Sequence, residues 1–126
     1  MTLFKIRLEM ARTPKFPEGN PKCGYEFIAP LDASGRLDES RWRSSRDLCV
    51  VHRFSDTEPD ERGALIHHRG KWMFSYRPGE DDDEPIFRLD THLFRSGEYV
   101  SVTEHDGLTY PFRVVSVRPT SQVQSP

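Results

Sequence analysis

The chain has 126 residues, the length of one compact domain, and its 35% hydrophobic and 30% charged residues describe one core of modest size under a well-charged surface. Eight Phe, four Tyr and two Trp exclude an intrinsically disordered composition, and a net charge of −2 argues against an obligate nucleic-acid binder. No segment approaches the roughly 20 apolar residues that a membrane-crossing helix requires.

The elements follow in chain order. Phe4, Ile6, Leu8 and Met10 alternate with Lys5, Arg7 and Glu9, the period-2 pattern of a half-buried strand. A signal peptide needs a continuous apolar run instead, so the expected location is the cytoplasm. Pro14, Pro17, Gly19 and Pro21 make residues 12–22 a loop, because proline removes ladder donors. Residues 24–29 read as a short strand that stops at Pro30, and Asp32-Ala33-Ser34-Gly35 is a turn cluster. Asp38 is a good N-cap for one short helix, with Leu37 placed to pack on Trp42 as a hydrophobic staple. Residues 48–54 are rich in β-branched and aromatic side chains and predict a strand, followed by an acidic loop from Ser55 to Arg62.

Two hairpins come next. Around His68-Arg69-Gly70, a two-residue turn would pair His67 with Trp72 and Leu65 with Phe74, but it needs a positive φ at Arg69. A three-residue turn pairs Ile66 with Trp72 and Ala64 with Phe74, and this register is the one expected. Around His105-Asp106-Gly107, a three-residue turn sets Val102 against Tyr110, Val100 against Phe112 and Thr103 against Thr109, leaving Pro111 on an outer position. Between the hairpins, the run from Glu80 to Glu84 is a solvated acidic loop, and residues 86–89 suggest another short strand. The chain divides into one β-rich domain over 1–118 and a disordered tail over 119–126.

About seven short strands separated by turn signals, with at most one short helix, predict an all-β domain: a small antiparallel barrel or sandwich. Residues 94–102, with Asp106-Gly107 and the return strand 112–117, resemble the strand–turn–strand units of small SH3-like or translation-type barrels. That resemblance covers the last quarter of the chain and implies a barrel.

Specific catalytic and metal motifs are missing. His67 and His68 are adjacent and so face opposite ways on a strand, while His52, His92 and His105 lie in separate segments. No C-x-x-C, H-E-x-x-H, phosphate-loop or nucleophile-elbow spacing occurs, so no metal, cofactor or catalytic residue is assigned. Cys23 and Cys49 are expected as free thiols, with Cys49 a small core residue. The most suggestive surface is Arg41, Trp42, Arg43 and Arg46: an indole between guanidinium groups can stack on a base while the arginines hold phosphate. The favoured reading of these residues is the ordinary one, a short helix with Trp42 packed inward and the arginines in solvent.

Three functional readings follow. The favoured one is a non-catalytic interaction module for a protein or peptide partner. The second is single-stranded nucleic-acid binding through Arg41–Arg46, and the third an enzyme whose site gathers dispersed residues such as His52, His67 and Asp90. Residues 1–54 carry ten basic against seven acidic groups and residues 55–126 eight against thirteen, an imbalance expected to reflect differently charged loops. The sequence names neither the partner nor the oligomeric state, and it assigns no membrane association.

Overall fold

A computed structural model describes residues 3–76, 84–86, 93–104 and 107–120. Eight strands run β1 (Leu3–Met10), β2 (Asn20–Pro30), β3 (Val50–Phe54), β4 (Glu61–His68), β5 (Lys71–Ser75), β6 (Glu84–Ile86), β7 (Tyr99–Thr103) and β8 (Thr109–Pro119). Each strand pairs antiparallel with its sequence neighbours, and β1 pairs with β8, so the ladder closes into an up-and-down barrel. The all-β barrel expected from the strand spacing is therefore the architecture, and the sandwich is not. The SH3-like resemblance extends no further than the β7–β8 hairpin, because all eight strands follow one another in order around the wall.

The wall is uneven. β1 pairs with β2 over Leu3–Met10 and with β8 over Phe4–Met10, whereas among the described residues β6 meets β7 at the pair Ile86 and Val102. The β1–β8 closure is sealed by Thr120, whose backbone N–H donates to the Leu3 carbonyl at 2.8 Å and whose side chain is buried. Pro119 and Thr120 thus belong to the fold, and the boundary expected after residue 118 moves outward. Residues 121–126 lie outside the described residues.

β3 is only five residues long, between an eleven-residue β2 and an eight-residue β4. Helix α1 (Glu39–Ser44) and a 3-10 turn (Arg46–Leu48) occupy the gap that a longer β3 would fill. Asp38 caps α1 as expected, accepting a hydrogen bond from the Arg41 N–H. The last β3–β4 pair is Val50 with Ala64, and beyond it the Leu65 N–H donates to the Cys49 carbonyl. The Leu65 carbonyl would be left without a strand partner there. The Trp42 indole Nε1 donates to it at 2.8 Å, so one side chain replaces a missing ladder bond.

The interior is packed with rings. Tyr25 lies against Phe74 and Phe112 with centroids 4.9 and 5.2 Å apart, and Phe27 against Phe74 and Phe94 at 5.1 and 5.8 Å. Ile6, Leu8, Val51, Leu65, Val102 and Val114 fill the spaces between them. An eight-stranded barrel has an interior just wide enough for side chains to fill.

One register differs from expectation. β4 and β5 join through a two-residue Arg69-Gly70 turn, pairing His67 with Trp72 and Leu65 with Phe74. Arg69 takes a φ of 51° and Gly70 a φ of 78°. A non-glycine residue in that conformation costs about 1–2 kcal/mol. Burying the Leu65 side chain, which the alternative register would turn outward, is worth about 1.5–3 kcal/mol, and the tight turn also matches the strand twist. Packing outweighs turn strain. In the β7–β8 hairpin the two agree, so Val100–Phe112, Val102–Tyr110 and Thr103–Thr109 pair as the sequence predicts.

Candidate functional site

The antiparallel order sends the connections to two ends of the barrel. One end gathers the β1–β2, β3–β4 and β7–β8 loops; the other gathers α1 and the β4–β5 turn.

At the first end, Arg53 points inward from β3 with its side chain 8% exposed. It donates to Glu58 at 3.2 Å and to Glu104 at 3.3 Å, and Glu61 stands 3.8 Å away. Tyr25 Oη donates to the other Glu104 oxygen at 2.6 Å. A buried guanidinium is tolerable only with this degree of compensation. The polar groups at this mouth therefore hold one another and tie β2, β3 and β7 together. A cleft of about 320 Å³ opens beside them, walled by Phe16, Phe54 and Tyr110. Cys23 lines it, with Asp56 Oδ1 at 3.2 Å from its Sγ. Burial pushes the Cys23 thiol up, and the same contact holds Asp56 below the ordinary carboxylate range. A protonated thiol beside a carboxylate is a weak nucleophile at neutral pH. Cys49 is buried immediately before β3 and its thiol is likewise pushed up by burial; both cysteines are free.

Among the described residues the histidines do not converge. His52 sits on the outer face of β3, between inward Val51 and Arg53, and its Nε2 lies 2.9 Å from Asp60 Oδ2. That contact holds the Asp60 carboxyl low. His67 shares the inner face with Leu65 near the other end, its ring 4.6 Å from Trp72 and its Nδ1 3.4 Å from Glu39. Asp90, His92 and His105 lie outside the described residues, as do Glu80 to Asp83 of the acidic run. Among the described residues, no group of three or more His, Cys, Asp or Glu side chains is placed to hold a metal ion. No described helix is long and apolar enough to cross a membrane.

The second end carries Arg41, Trp42, Arg43 and Arg46, the residues that the sequence singles out. Trp42 is buried, with its ring 5.5 Å from Trp72 and 6.0 Å from His67. Its burial leaves no open face for a nucleic-acid base, so Trp42 packs inward as the favoured reading of the sequence has it. Arg41 sits 3.6 Å from Asp38, Arg43 pairs with Glu39, and Arg46 lies over the outer face of the Trp42 ring at 5.2 Å. The guanidinium groups remain at the surface, where three further features join them. His67 touches both Glu39 and Trp42, which brings the β4–β5 turn, with Arg69 and Lys71, beside α1. Leu48 and Val50 are 55% and 48% exposed, among the most exposed large apolar side chains described. Ile66 and Met73, paired across β4 and β5, extend this aliphatic strip as half-buried residues. The sequence does not mark Leu48 and Val50, because a strand over 48–54 makes every apolar residue in it a core candidate. Nor does it mark Arg69, because the three-residue turn expected there has a different register.

No family model matches the chain, and neither curated proteins nor solved structures give a match.

Proposed function

We propose that this chain is a non-catalytic binding module that engages a protein or peptide partner through its surface, working in the cytoplasm. The observation that carries this reading is the filled interior. Tyr25, Phe27, Phe74, Phe94 and Phe112 interlock where a ligand-holding barrel would keep a cavity. Two further observations agree with it. The buried ionic groups at one mouth are engaged with each other, and His52 and His67 lie on opposite faces of the wall. Two cysteines that are not bonded to one another suit a reducing compartment.

The test is a titration of the full ¹⁵N-labelled chain with acidic peptides, basic peptides and oligothymidine, alongside a panel of chromogenic ester, phosphate and glycoside substrates. Saturable amide shifts on a contiguous surface, with no turnover, are expected. Turnover of any substrate that disappears on Arg53→Gln or His52→Gln substitution, with the fold intact, overturns the reading.

A further inference from the structure

Resting on the binding-module reading, we infer that the face formed by α1 and the β4–β5 turn docks an acidic peptide segment that carries an aliphatic side chain.

Charge complementarity and the type of apolar surface make the argument. Leu48 and Val50 present an aliphatic patch that the described residues leave exposed. Arg43 and Arg46 border a surface hollow with Leu48 and Asp47, and the exposed Arg69 and Lys71 lie at the β4–β5 turn on the same end of the barrel. Guanidinium groups recognise carboxylates in a fixed fork geometry, and the patch gives a neighbouring apolar residue a place to settle. Nucleic acid fits less well. Bases need an aromatic platform, and both tryptophans at this end are buried.

An independent observation is the turn itself. A two-residue turn with positive φ at both positions selects Asn-Gly or Asp-Gly. This chain places arginine at the first position, φ 51°, and nothing lies within 4 Å of the Cβ position at Gly70. The register that buries Leu65 sets this turn, and it puts arginine at an open tip on the same end of the barrel as α1.

The test uses the intact chain and a fluorescein-labelled peptide of alternating glutamate and leucine, read by anisotropy at low and physiological salt. Binding that weakens with salt is expected, with amide shifts centred on Val50, Ile66 and Lys71. Arg69→Asn relieves the turn, so its melting temperature should hold or rise. Its peptide affinity should nevertheless fall about two- to fivefold, and Arg46→Gln with Arg69→Asn should lower it about tenfold. A structural role for Arg69 would move stability and leave affinity alone. Peptide binding unaffected by these variants overturns the inference. So does preferential binding of oligothymidine or of phosphatidylserine vesicles, or salt-sensitive self-association that Arg69→Asn abolishes while the peptide fails to bind. In each case saturable binding without turnover leaves the module reading standing on another surface or partner; turnover removes both.

Discussion

Trp42 and Trp72 show how one residue type serves two purposes at once. Both are almost fully buried, and their rings meet edge to face. Replacing either by alanine should cost about 3–5 kcal/mol in a urea melt, through lost transfer energy and a cavity. Trp42 has a second task, because its indole satisfies the Leu65 carbonyl. Trp42→Phe keeps most of the ring and strands that acceptor, so a further loss of about 1–3 kcal/mol is expected, with no counterpart in Trp72→Phe. The sequence marks both residues as large and apolar. It shows Trp42 only as a local staple, because the carbonyl that the indole reaches is 23 residues away. The cysteines give a chemical measurement at the same scale. Burial raises both thiols, so the alkylation rate of Cys23 should climb at a higher pH than that of an ordinary thiol, and Cys49 should react only as the chain unfolds. The sign for stability follows. The neutral Cys49 thiol is favoured in the fold, so its contribution is complete below the ordinary thiol pKa and is lost as pH rises through the raised value.

At the scale of elements, local pattern and packing agree in some places and compete in others. The β1 strand, the Asp38 cap and the β7–β8 register are legible because pattern, turn chemistry and core all favour one answer. The β4–β5 turn is illegible because the residue-level rule against positive φ points away from the register that buries Leu65. The candidate surface was half legible for the same reason. Arg41, Arg43 and Arg46 are neighbours in the chain, whereas Arg69 and Lys71 join them only through that turn. Glycines test the backbone directly. A Cβ on Gly24 would stand 1.9 Å from the Leu8 carbonyl oxygen, while Gly70 has open space around it. Gly24→Ala should therefore cost at least about 1–3 kcal/mol by forcing β1 and β2 apart, measured by chemical denaturation. Gly70→Ala should cost only its conformational strain, about 1 kcal/mol.

For the whole molecule, the ladder is longest where β1 meets β2 and β8, and among the described residues β6 meets β7 at Ile86 and Val102. Hydrogen exchange should follow that division. Amides of Ile6 and Leu8 should exchange only with global unfolding, and that of Val102 through a smaller opening at the seam. A uniform exchange free energy around the barrel would show that it opens as one unit. The described β3–β4 loop carries Asp56, Glu58 and Asp60, while α1 and the β4–β5 turn carry the arginines at the other end.

The hydrogen bond from Thr120 to Leu3 places the two extremities of the described fold side by side across an antiparallel ladder. Where a chain starts is then a matter of wiring, since the wall is continuous through the β1–β8 pair. A circular permutant opened at Gly107 and relinked by a short flexible spacer between residues 120 and 3 would keep every strand pair and leave the α1 face untouched. It should fold with the same tryptophan fluorescence as the parent and bind the same peptide. The proposed docking face could then be carried on a chain whose free ends emerge from the opposite end of the barrel.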